Sequence, residues 1–122
     1  MSTTPPGNPP ASPTIPLTDD VRAAYQDLYD KFEAEYQSNP DATARLAIEP
    51  ARDNVQNVLT KDDMYKFDQD TALFKALLTQ INVTNDSLKV VQDQIASTAS
   101  HFATADKILA AISKVLSLVP AL

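Results

Sequence analysis

The amino-acid sequence predicts an all-α protein, an antiparallel helical bundle built on a long C-terminal heptad helix. Three observations predict it. Bulky residues recur at every seventh position from Phe74 through Ile81, Leu88, Ile95, Phe102 and Leu109 to Leu116. Three residues further on in each repeat stand Leu77, Thr84, Val91, Thr98, Ala105, Ile112 and Val119. The third is the polar side opposite these two rows. The two rows are the a and d positions of a heptad, and the side opposite them is polar (Thr79, Asp86, Asp93, Ser100, Lys107, Lys114).

The elements follow in order. Met1 to Pro16 holds six prolines and no charged side chain. Proline removes a backbone donor and fixes φ, and nothing here can be buried, so residues 1–17 are expected to be a disordered proline-rich tail and residues 18–122 the helical bundle domain. Thr18 is placed to cap a first helix, with Asp19 and Asp20 in the turn where the helix dipole favours negative charge. Val21, Tyr25, Leu28, Phe32 and Tyr36 form its apolar stripe, and Asn39-Pro40 ends it near Ser38. Asn39 is the expected cap of a second helix with Pro40 in its first turn. Ala44, Leu46, Ala47 and Ile48 start its apolar face, Pro50 kinks or divides it, and Val55, Val58 and Leu59 continue it. Thr60-Lys61-Asp62-Asp63 resembles a capping box, which starts a new helix at Lys61 with Met64 and Phe67 on the buried side.

From Lys61 the expectation is one helix to the end of the heptads, giving three helices. The run Asn82 to Ser87 collects β-branched and short polar residues that favour turns, and a reversal there gives the alternative of four. Unbroken heptad phase across that run favours continuity. A continuous helix over 61–119 is roughly 88 Å long at 1.5 Å per residue, against about 30 Å for the first. Two short helices cannot cover it, so part of the seam overhangs the core.

An overhanging apolar seam calls for a partner. Leu88, Val91, Ile95, Phe102, Leu109, Ile112, Leu116 and Val119 are therefore the candidate interface residues, and a homo-oligomer, with a protein partner as a further expectation, follows from them. Small residues flank the seam at Ala96, Ala99, Ala103, Ala110 and Ala111 and let helices approach closely, and the positions that carry Glu and Lys in a two-stranded zipper lack that pattern here, which suits a bundle of three or more helices.

Composition narrows the function classes. Without cysteine there is no disulfide, thiolate site or cysteine nucleophile. The formal charge of −6 argues against a general nucleic-acid binder. Residues 19–70 carry 13 acidic and 6 basic side chains, and residues 71–122 only 3 and 4. The lone histidine, His101, has Thr98 where a Glu-x-x-His metal motif needs Glu, and the aspartates Asp62, Asp63, Asp68 and Asp70 read as helix-start acids and a solvated face. No enzyme, metal or cofactor is expected. No signal peptide or membrane-length apolar run is present, which points to a cytoplasmic chain. Two function classes remain. The first is a non-enzymatic interaction or oligomerisation protein that uses the heptad seam. The second is a protein that binds a membrane or lipid surface through the apolar segment 108–119.

Overall fold

The computed structural model describes residues 15–119. Four α-helices and one 3-10 turn account for nearly all of them, with no strand among the described residues. Helix α1 spans Asp19–Ser38, α2 Ala42–Phe67, α3 Thr71–Ser97 and α4 Ala105–Leu118, with the 3-10 turn at Ala99–His101. Each helix packs against its neighbour in sequence, and α4 closes back onto α1.

Side-chain pairs fix the directions. Arg22 meets Asp62 and Arg52 meets Glu33, so α1 and α2 run antiparallel. Thr84 donates to the Asn54 carbonyl, and Gln80 also reaches Asn54, which sets α3 against α2. Gln92 donates to Ser113 across the α3–α4 pair. The result is an up-down-up-down four-helix bundle.

The first helix forms as its residues dictate. The Thr18 hydroxyl accepts from the Val21 N–H, and Val21, Tyr25, Leu28 and Phe32 are buried. Tyr36, at the end of the stripe, is half-buried, with the guanidinium carbons of Arg45 and Arg52 each 4.4 Å from its ring centroid. The described part of the expected tail behaves differently from a tail. Leu17 belongs to the core and Ile15 packs against it, while residues 1–14 lie outside the described residues.

In α2 the structure corrects three expectations. The cap is Asp41, whose carboxylate accepts from the N–H groups of Thr43 and Ala44, and Asn39 instead accepts from the Asp41 N–H. Pro50 does not divide the helix. It lies on the exposed side, and the carbonyl it leaves without an N–H partner is that of Leu46, also an exposed residue, so the lost bond leaves no polar group buried. No helix starts at Lys61. Helix α2 runs through it, and Asp62 sits on the buried stripe set by Val55, Val58 and Leu59. Its carboxylate accepts from the Leu17 N–H at 2.9 Å and from Arg22 at 2.6 Å, so it holds the chain entering α1 rather than a helix start. The break comes at 68–70, where Asp70 caps α3 by accepting from Ala72 N–H. Phe67, expected inside, is 93 % exposed, and Met64 is exposed as well.

Helix α3 runs unbroken through 82–87. Its two least helix-like residues are held from outside: Thr84 bonds to α2, and Asn85 accepts from the Tyr25 hydroxyl while donating to the Val119 carbonyl at 2.8 Å. The reversal lies later, at residues 98–104, so the fourth helix is real but begins well after the position where a turn was considered. Ile95, Phe102 and Leu109 keep heptad spacing straight across this corner. Both sides of a hairpin must present one face to one core, so a reversal whose length suits the repeat leaves the phase intact. The long helix of 61–119 is therefore three separate pieces, and its predicted overhang is absent among the described residues.

This arrangement separates the two sides of α3 by seven-residue spacing alone. Leu88→Ala is expected to lower the unfolding free energy by about 3 kcal/mol in urea titration, because it empties a fully buried site. Val90→Ala, two residues on and 59 % exposed, is expected to change it by less than about 0.5 kcal/mol.

Candidate functional site: a bolted corner and an outer apolar face

Two places in the bundle concentrate chemistry or exposed apolar surface. The first is the end where the α1–α2 turn meets the α3–α4 corner. Glu35 falls on the apolar stripe of α1, one turn beyond Phe32, and is only 2 % exposed. Its carboxylate accepts four hydrogen bonds: from Asn39 Nδ2 at 2.6 Å, from the backbone N–H groups of Ala103 at 2.8 Å and Thr104 at 3.1 Å, and from the Thr104 hydroxyl at 2.7 Å. These backbone donors enter α4, and Thr104 makes no side-chain cap of its own. Glu35 thus anchors, from another helix, the two residues that lead into α4.

Burial by itself pushes the Glu35 carboxyl up. The hydrogen bonds from Thr104, Ala103 and Asn39 together outweigh it and hold the group below its ordinary value of 4.5. Asn39 also donates to the His101 carbonyl, and His101 Nδ1 lies 2.8 Å from Asp41 Oδ2. An ionised carboxylate can only accept, so Nδ1 carries the hydrogen. That bond from His101 is the main cause that lowers the Asp41 pKa. Partial desolvation opposes it, and the N–H groups of Ala44 and Thr43 reinforce it. The lone histidine is therefore a strut between the α3–α4 corner and the cap of α2.

A second buried polar set lies deeper in the core. Tyr25 reaches across from α1 to Asn85 on α3, and burial pushes its phenol well above the ordinary value of 10. Among the described residues no group of three or more His, Asp or Glu side chains is placed to hold a metal ion. No described helix is long and apolar enough to cross a membrane.

The seam residues occupy the interior. Leu88, Val91, Ile95, Phe102, Ile112 and Val119 are buried in the chain's own core, and Leu109 and Leu116 are half-buried against it. The expectation put them on an overhanging helix as a subunit interface; here they gather around the hairpin formed by α3 and α4. Their exposed surface is consumed by the fold, because α4 turns back instead of extending.

What remains outside is the second place. Among the described residues the large exposed hydrophobic ones are Leu46, Met64 and Phe67 on α2, Phe74, Val83 and Val90 on α3, and Leu118 on α4. Val83 and Val90 are seven apart and share one stripe. The register set by Gln80, Thr84 and Asn54 brings Val90 to about the level of Leu46. Leu46 stands as a ridge between two shallow grooves. One, of about 370 Å³, lies against Thr43, Ala47, Gln94 and Thr98. The other, of about 260 Å³, lies against Tyr36, Pro40, Arg45 and Glu49. No signal singled these positions out in the sequence except that Val83 and Val90 fall off the heptad rows.

The corner yields a pH prediction. A carboxyl depressed in the folded state contributes stability that is complete above its unfolded value and lost as pH falls through the folded one. Glu35→Gln is expected to cost about 2–3 kcal/mol near neutrality. Its difference from the wild type is expected to shrink as pH falls through 4.5 and below, in urea titrations repeated across pH. A gap that stays constant over that range contradicts an ionised Glu35 at the corner.

Comparison with known protein families, curated proteins and solved structures returns no match to this chain.

Proposed function

We propose that this chain is a non-enzymatic helical interaction protein that associates, as a homo-oligomer or with a protein partner, through the outer face of α2 and α3. One observation carries this reading: Leu46 on α2 and Val83 and Val90 on the adjacent α3 are large hydrophobic residues left exposed by the fold. Isolated surface apolar residues need no explanation, but a set gathered on adjacent helices beside two open grooves favours an interaction surface. The ionisable groups that could suggest catalysis are engaged in the fold. Glu35 closes α4, Asp41 caps α2 and holds His101, and Asp62 binds Arg22 and Lys66. The seam first expected to carry the interface serves intramolecular packing, and so does most of segment 108–119. Ile108, Ala111, Ile112, Val115 and Val119 face the core, so a lipid-surface role requires α4 to leave the bundle.

Light scattering over a concentration series, on the wild type and on Leu46→Asp with Val90→Asp, tests the reading. Both positions are exposed, so circular dichroism is expected to show an unchanged helical fold. The wild type is expected to associate, and the charged pair to weaken association about tenfold or more, since each aspartate must be desolvated in the contact. Association that the double substitution leaves untouched contradicts this face, and a monomer at every concentration removes the homo-oligomer.

A further inference from the structure

Three arginines occur in the sequence, and the fold uses them unequally. Arg22 pairs with Asp62 and Asp63, and Arg52 with Glu33 and Asp53. Arg45 makes no ion pair among the described residues, and its Nε is buried without a hydrogen-bond partner. Its guanidinium carbon lies 4.4 Å from the centroid of the Tyr36 ring, and the residue lines the groove of about 260 Å³ beside Leu46. Glu49 lines the same groove, but its carboxylate accepts from the Tyr36 hydroxyl at 3.3 Å. Arg45 also closes the first turn of α2, at the end where the helix dipole disfavours a cation. The stack on Tyr36 holds the side chain in place and leaves its charge unbalanced.

Charge of the opposite sign stands across the same face. Val83, Asp86, Val90 and Asp93 follow at spacings of three and four, so they share one stripe of α3, and all four are exposed. Neither aspartate belongs to an ion pair among the described residues, and Lys89, between them in sequence, pairs with neither. Gln94 lines the groove against Leu46, so it marks the side of Val90 that looks toward α2. At about 100° per residue, Gln94 stands about 40° to that side of Val90, and Asp86 and Asp93 stand about 40° and 60° to the other, with Lys89 further round still. Read outward from α1, the face therefore runs Arg45, Leu46, Val90, then Asp86 and Asp93. A cation holds one edge, apolar side chains the middle, and two acids the other edge.

A two-fold axis through the apolar middle exchanges these edges. In such a self-complementary contact, residue i of one copy meets residue j of the other and j meets i, so both charge pairs form at once. We propose that the chain pairs with a second copy of itself through this face, Arg45 of each copy against Asp86 and Asp93 of the other, around a centre of Leu46 and Val90. The inference rests on association through the outer face of α2 and α3, and it names the partner and the groups that orient it. The apolar centre supplies attraction without direction, and the charged edges fix which way round the two copies meet.

Two variants of the full chain test the pairing: Arg45→Glu, and separately Asp86→Lys with Asp93→Lys. Each places like charges across the contact when it meets itself. In light scattering over a concentration series, each variant alone is expected to associate about tenfold or more weakly than the wild type. Their equimolar mixture is expected to recover wild-type association, because in the mixed pair each new acid faces new lysines and the remaining arginine faces the original aspartates. Circular dichroism checks both folds, and the second variant alters only exposed side chains, so its result stands even where Arg45→Glu disturbs the stack on Tyr36. A mixture no tighter than its components overturns the pairing, and so does wild-type association by either variant alone. If Leu46→Asp with Val90→Asp still disrupts association in that case, the face stands without this pairing. A wild type that is monomeric throughout overturns the pairing together with the homo-oligomer, and leaves only a foreign partner for the face.

Discussion

The carboxylate of Glu35 lies inside the bundle and gathers the donors of the corner between α3 and α4. A buried charge is tolerated only when its oxygens are filled, and four donors fill these. Without the Glu35 carboxylate the N–H groups of Ala103 and Thr104, just before α4, would lose their partner. Each side removes a cost that the other could not bear alone. From this bond follows the direction of α4, and with it the burial of Ile108, Ile112 and Val115. The Asp41–His101 strut and the Asn39 bond to the His101 carbonyl tie the same corner to the start of α2. The opposite end is closed by another buried acid, Asp62, with Arg22 and the Leu17 amide. A carboxylate on an apolar stripe thus anchors each end of the bundle, while Asn85 and Tyr25 pin its middle.

Helical class and the first helix were legible from apolar spacing and from Thr18 and Asn39-Pro40. The corner was not. Its residues, Thr98 to Thr104, include neither glycine nor proline, and the apolar spacing of Ile95, Phe102 and Leu109 passes through it unchanged. Periodicity reports which side of the chain meets a core and is silent on whether the chain has turned around between repeats. The turn is specified instead by a partner 68 residues away, Glu35. A local signal did exist. Glu35, Asp62 and Asn85 are polar residues on apolar stripes, and such residues need a distant partner whose place the sequence does not give. Likewise Pro50 promised a break but faces water, and Thr60 to Asp63 promised a start but lies within a helix that packing sustains.

The same fact moved the candidate interface. An apolar row is a binding surface only if the chain leaves it uncovered, and the hairpin covers this one. The function reading passes to residues that carry no periodic signal, Leu46 on α2 and Val83 and Val90 on α3, which are apolar where the fold does not use them. Acidic charge concentrated on residues 19–70 leaves the α3 side of that face the less repulsive one for an approaching protein.

The central claim is that α3 and α4 form a hairpin rather than one heptad helix. It is tested most directly by the distance between spin labels at Asp86→Cys and Ser117→Cys, both exposed, in a chain that has no other cysteine. The hairpin places the two positions on neighbouring helices whose axes are about 8–10 Å apart, so pulsed electron resonance is expected to give a short distance, below about 25 Å with the label arms included. A continuous helix separates them by 31 residues, about 46 Å, and a peak there would contradict the corner, the role of Glu35 and the buried seam together.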